Sequence, residues 1–297
     1  MDQNHSIVKL RPYKSKWQQN QYYKKQQQSS TSQQTQPSAQ QFDTHDDSQF
    51  NLFEKQLVLM HCMRVYLRDV GKKVNAHQRV IATAMIYCKR FYCQNSISDC
   101  DPALLSAAAL LLASKIEECP LNAKNIHQIA MGKDSPSPNY DTKETSAQFP
   151  YQLSQIIECE LYLMEQLSFN LTIFHPYNSL IMYVKDSEIE KAHYQMAWNI
   201  VNDSYFSDVV LKYAPYLISL TSIYMTCILT DNKEKARKWF DQLYVDMKVI
   251  GDIADEILTM YSLVKKMLDP QSDVHKTLNQ ALLRLQQMRQ HCYWGTP

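Results

Sequence analysis

Glycine is scarce in this chain, 4 of 297 residues, against the ~7% usual for proteins. That disfavours tight hairpins and phosphate-cradling loops, because both need positive φ or close backbone approach. No Gly-x-Gly-x-x-Gly and no Gly-Lys-Ser/Thr occurs, which argues against a nucleotide site of either kind. No Cys-x-x-Cys and no His-x-x-x-His occurs among the eight cysteines and nine histidines, so no zinc site is expected. No apolar segment at the start reads as a secretory signal, and the cysteines read as free thiols in a reducing compartment, several packed as small apolar groups. The longest apolar stretch, Tyr216 to Leu229, is 14 residues with Ser and Thr inside it, too short to span a bilayer. No membrane role is expected, and no local Ser/His/Asp or Cys/His spacing suggests a catalytic set.

A large excess of charge of either sign is missing too, with 31 basic and 30 acidic residues. The net charge is +1, but it is unevenly placed. Residues 1–42 hold Lys9, Arg11, Lys14, Lys16, Lys24 and Lys25 against Asp2 alone, which leaves 25 basic and 29 acidic residues for the remainder. A body with a slight acidic excess is not a nucleic-acid binder on charge grounds. Residues 18–41 contain eleven glutamines and few apolar groups, too few to offset the entropy of ordering. Residues 1–48 are therefore expected to form a disordered, basic, Gln-rich arm. An organellar transit peptide is the competing reading, against which stand its single Arg11 and Pro12.

What is present is helical. From Phe50 the apolar residues recur at a period of 3.6. Helices are expected over 50–70, 76–93, 102–117, 122–131 and 151–167, then over 176–186, 189–206, 215–230, 233–244 and 246–266, with a last helix or tail near 275–291. Asn75, Asp101 and Asn122 are candidate N-caps, and Pro102, Pro176 and Pro215 sit at helix starts. Aligning Pro102 with Pro215 at an offset of 113 sets Leu104 on Leu217, Ser106 on Ser219 and Leu110 on Ile223. This weak internal repeat predicts an all-α fold of two tandem five-helix repeats, 49–172 and 173–268, followed by a C-terminal helix or tail at 269–297.

Ala108 to Glu117 is the most telling segment. It is apolar on nearly every face, so it belongs inside a domain. It ends in Lys115 beside Glu117 and Glu118, and a lysine at the edge of a core needs a partner. In the second repeat the same alignment puts Ile228 where the first has Lys115, so a partner that needs the cation binds the first repeat. Taken alone, Lys115 reads as a surface lysine snorkelling from a helix end.

Several segments together resemble the cyclin family. Gln78 to Tyr92 is similar to the second helix of transcriptional cyclin boxes, Leu110 to Glu118 to the third, and Ile157 to Leu167 to the fifth. His175-Pro176-Tyr177 opens a second box, and Ala197 to Tyr205 and Ala236 to Met247 resemble the C-type branch. The resemblance covers about 50–268. It implies a nuclear, non-catalytic subunit without cofactor that binds and activates a cyclin-dependent kinase, in the C type the kinase of the Mediator complex. It implies that Lys115 pairs with Glu160 at the edge facing the kinase, with Leu111, Glu117 and Glu118 as neighbours, the two glutamates able to accept an arginine of the kinase or simply solvated. Trp198, Asn202, Asp203 and Tyr205 could line a groove between the repeats, although Trp198 reads more simply as core. Ser135-Pro136 and Ser137-Pro138 fit proline-directed phosphorylation. His77, His127 and His175 read as structural residues at helix starts.

Two rival readings share the fold. A transcriptional cyclin of the H type would differ in its kinase. A cyclin-fold nucleic-acid binder resembling general transcription factor IIB would bring paired Cys-x-x-Cys motifs and a basic face, and this chain has neither. The cell-cycle docking patch Met-Arg-Ala-Ile-Leu is replaced here by Leu59-Met60-His61-Cys62-Met63, and no Arg-x-x-Leu destruction box precedes the first box. Neither substrate docking through that patch nor a mitotic role is expected.

Overall fold

The computed structural model describes residues 50–132, 149–187, 191–230 and 233–291, all within one compact unit, Phe42–Pro297. Every regular element among the described residues is a helix. The expected arm at 1–48 and the Ser-Pro sites at Ser135 and Ser137 lie outside the described residues.

The first rod, α1, runs as an α-helix over Leu52–Cys62, a π-helical stretch over Met63–Asp69 and a final turn over Val70–Lys73. A capping box starts it. The Asn51 side chain accepts from the Glu54 backbone N–H at 2.8 Å, and Glu54 accepts from the Asn51 N–H at 3.1 Å, which satisfies two otherwise orphaned donors. Four helices follow: α2 (Gln78–Tyr92), α3 (Pro102–Ile116), α4 (Ala123–Ala130) and α5 (Leu153–Gln166). Asp101 caps α3 by accepting from Ala103 N–H at 2.7 Å, with Pro102 at the first helical position. Asn122 caps α4 in the same way at 2.9 Å. Asn75, expected to cap α2, instead takes a left-handed turn conformation at φ 55°. His77 occupies the N-cap without a side-chain bond.

α3 is the axle of this half and packs on α1, α2, α4 and α5. Every residue from Pro102 to Ser114 is buried. Leu104, Leu105, Leu110, Leu111 and Leu112 each contribute about 1.5–3 kcal/mol by leaving water.

The second set comprises α6 (Tyr177–Asp186), α7 (Lys191–Ser204), a short α8 (Val209–Lys212), α9 (Pro215–Leu229), α10 (Lys233–Phe240) and α11 (Met247–Leu268). α9 is its axle, packed on α6, α7, α10 and α11. α3 and α9 have equal length and the same proline start. They solve burial differently. α9 carries hydroxyls inward; Ser222 donates to Ser219 O and Thr226 to Ser222 O, one turn back, both at 2.7 Å, and Ser219 donates to Pro176 O ahead of α6 at 2.7 Å. Those bonds remove the penalty of burying the group.

Between the sets, α2 holds the linker by its carbonyls. Tyr87 donates to Leu171 O at 2.6 Å and Arg90 to Asn170 O at 3.0 Å. Lys89 pairs with Asp208 at 2.9 Å. A last helix, α12 (Asp273–His291), turns back along α11 and packs on the start of α1. It buries Leu278, Ala281 and Leu285, a single helical face.

Candidate partner-binding edge

Lys115 lies in the last turn of α3, where a cation also suits the negative end of the helix dipole. Its Nζ stands 2.7 Å from Oε1 and 2.8 Å from Oε2 of Glu160 on α5. The pair is asymmetric: the lysine side chain is 54% exposed and the glutamate 5%. The carboxylate is sunk between α3 and α5, and the ammonium closes it at the surface. Around it the edge is apolar and open, with Ile116, Ile157 and Leu161 all exposed. Ile157 and Leu161 are one turn apart on α5 and share a face. An ion pair with one end in water adds little to stability. The ammonium stands at the surface beside this apolar rim.

Past Lys115 the chain turns sharply. Glu118 takes a left-handed conformation at φ 56°. Its N–H donates to Lys115 O at 3.2 Å and the Cys119 N–H to Ser114 O at 2.9 Å, which is a Schellman closure. The side chain of Glu118 is exposed. Glu117 is neither solvated nor open to an incoming arginine. Its Oε2 is 2.5 Å from Arg79 Nε, and its Oε1 accepts from the Thr83 hydroxyl at 2.6 Å and lies 3.6 Å from His175 Nε2. The His175 ring beside it, then the hydrogen bond from Thr83 and the Arg79 charge, hold its carboxyl below the ordinary carboxylate range.

Leu111 needs correction as a contact residue. It is 3% exposed, because α3 is buried on all sides until its last turn. The residues that do line the edge, Ile116, Ile157 and Leu161, were missed. A period of 3.6 carries a usable signal for the last two, since they fall off the buried stripe of Ile156, Cys159 and Leu163.

The four groove candidates do not act together as one open wall. Tyr205 is buried, with its hydroxyl 2.7 Å from His175 Nδ1. Asn202 accepts from Tyr177 OH at 3.0 Å, and Asp203 accepts from Tyr261 OH at 2.9 Å. Burial holds the Asp203 carboxyl above its usual value. Trp198 packs on Tyr177, ring centres 4.8 Å apart. His175 is more than a helix-start residue, because it joins both halves of the molecule. Among the described residues no cluster of His, Cys, Asp and Glu converges to hold a metal ion, and no helix is long and apolar enough to cross a membrane.

Comparison with known proteins adds an independent line. A family model described as the cyclin N-terminal domain matches residues 17–172. Cyclin-C of Drosophila pseudoobscura pseudoobscura is 35% identical over 221 residues, 74% of this chain and 81% of that protein. Cyclin-C of Rattus norvegicus is 36% identical over 195 residues, 66% of this chain and 69% of that protein. A chain in the structure of the CAK complex of Chaetomium thermophilum bound to ATP-γ-S superposes with a TM-score of 0.57 at 18% identity, covering 92% of this chain and 86% of that one. At that identity the likeness speaks for the fold alone.

Proposed function

This chain belongs to the cyclin family, and from that premise we propose that it is the non-catalytic regulatory subunit that binds and activates a cyclin-dependent kinase in transcription. The observation that carries the reading is the Lys115–Glu160 pair set in an exposed apolar rim. In the cyclins this pair faces the mobile helix of the kinase. Glu160 occupies one side of the ammonium, and the remaining donors of Lys115 are free to cap carbonyls at the end of that helix. Ile116, Ile157 and Leu161 supply the apolar contact. Pinning the helix brings the kinase's own glutamate against its ATP-binding lysine, an arrangement phosphoryl transfer requires.

The finer assignment is the C type: a nuclear subunit whose kinase belongs to Mediator and acts on RNA polymerase II transcription. It is supported by the names of the two relatives and by the segments Ala197 to Tyr205 and Ala236 to Met247. Residues 49–172 then form the first cyclin box and 173–268 the second. Glu118 stays a candidate kinase contact, and Ser135 and Ser137 stay candidate phosphorylation sites.

The deciding experiment is affinity purification of the tagged chain from its own cells, with mass spectrometry and a kinase assay on the eluate. A cyclin-dependent kinase with Mediator subunits is the expected result. A different cyclin-dependent kinase would keep the mechanism and overturn the C-type assignment. An eluate with no kinase would overturn the function.

A further inference from the structure

His175 sits where the two helical sets meet. It precedes α6, and its ring is 7% exposed. On one side Nδ1 is 2.7 Å from the hydroxyl of Tyr205, which follows α7. On the other, Nε2 is 2.8 Å from the Thr83 hydroxyl on α2. Thr83 has one proton and gives it to Glu117 at 2.6 Å. It can therefore only accept from His175, which places a ring proton on Nε2. Two directions are set, His175 to Thr83 and Thr83 to Glu117, and the Tyr205 hydroxyl closes the relay on the far side of the ring. Glu117 is the residue that ends α3, two positions beyond Lys115. Its second oxygen is held by Arg79 at 2.5 Å.

The Lys115–Glu160 pair ties the end of α3 to α5, and Glu117 ties it through Thr83 and His175 to the second helical set. We propose that Thr83 and His175 are positioning residues for the partner-binding edge: through Glu117 they lock the end of α3, and with it Lys115, to the second helical set. This rests on the reading of Lys115 as a kinase contact. A chain of oriented hydrogen bonds in a buried place is stiff, and losing one link leaves polar groups unpaired. A small rotation of the last turn then suffices to misplace the Lys115 ammonium. The second repeat, which lacks the cation, thereby takes part in holding the kinase.

The test uses the full chain with its co-purified kinase. Thr83→Val keeps the shape and breaks the relay, and Thr83→Ser restores it. Thr83→Val is expected to weaken kinase affinity about 5- to 10-fold, the size of the loss of one such bond, and Thr83→Ser to recover it. Lys115→Ala is combined with each. If Thr83 acts through Lys115, Thr83→Val adds little once Lys115 is gone, whereas a general loss of fold adds its full effect. Full additivity, or wild-type affinity in Thr83→Val, overturns the proposal. Failure of the unaltered chain to bind any kinase would instead overturn the function on which it rests. Matching melting curves for the Val and Ser variants verify that both fold.

Discussion

Arg289 of the last helix grips Asp101, the residue that caps α3. Its Nε is 2.5 Å from one carboxylate oxygen and its Nη2 3.0 Å from the other. Both side chains are almost wholly buried. The carboxylate thus serves two masters, since it also accepts from Ala103 N–H. Arg284 on the same helix pairs with Glu54 in the capping box of α1, and its guanidinium lies 5.3 Å from the Phe50 ring centre. The last helix is therefore part of the first core. Arg289→Leu should lower stability by about 3–5 kcal/mol, because it strands a buried carboxylate. Thermal unfolding measures this, with a drop on the order of 10 °C expected. A change under about 2 °C would mean that Asp101 finds another cation and that α12 is dispensable.

Gly71 lies where α1 crosses α2. A β-carbon there would stand 2.8 Å from Cγ1 and 2.9 Å from Cδ1 of Ile81, and Ile81 is buried. Alanine is the better helix former by roughly 1 kcal/mol, but overpacking costs about 1–3 kcal/mol. The crowding should win, and Gly71→Ala should destabilise. In an Ile81→Val background, which removes Cδ1, the penalty should shrink. A Gly71→Ala protein that melts higher than wild type would show that the two helices part more easily than their packing implies.

How much of this was legible in advance depends on range. α3 could be read directly, because burial on every face leaves an unbroken apolar run and Asp101-Pro102 marks its start. The Lys115–Glu160 pair came through family resemblance, since 45 residues separate the partners and no local period links them. Glu117 was misread for the same reason. Nothing near it in sequence announces Arg79, Thr83 or His175 as neighbours. Tyr205 was grouped with Trp198, Asn202 and Asp203 on a groove, whereas in the turn after α7 its ring is buried. The docking of α12 was invisible, because Arg284 and Arg289 meet Glu54 and Asp101 across 230 and 188 residues. Local propensity reports helices, and tertiary geometry decides which of their polar residues meet.

Lys115 should matter far more for binding than for folding. Its exposed end lets water take its place at the Glu160 carboxylate, which keeps its share of stability to about 1–2 kcal/mol, below that of the enclosed Arg289–Asp101 pair. Lys115→Ala should therefore melt within a few degrees of wild type while kinase affinity falls at least tenfold. Lys115→Glu sets a second carboxylate against Glu160 and should lose more of both. Calorimetric titration with the kinase, beside circular dichroism, separates the two effects. Wild-type affinity in Lys115→Ala would remove the pair from the interface.

His61 gives stability a pH dependence of predictable sign. It stands in α1, in the stretch that replaces the cell-cycle docking patch, among the buried Met60, Cys62 and Met63. Burial, then the charge of Arg64, lowers its pKa to about 4 from an ordinary value of 6.5, with Asp69 opposing and His275 adding to the shift. The unfolded chain therefore binds a proton more readily than the folded one. The contribution is complete above about pH 6.5 and is lost as pH falls from there towards 4. At pH 5 the loss from this one ring should be about 2 kcal/mol. The depressed carboxyls of Glu54 and Glu117 act in the same direction but lower, below their ordinary value of 4.5, and Asp203 opposes them. Urea unfolding at pH 7.5 and pH 5 should show a wild-type loss that His61→Gln largely abolishes. Equal losses in the two proteins would mean that the His61 ring reaches water in the folded state.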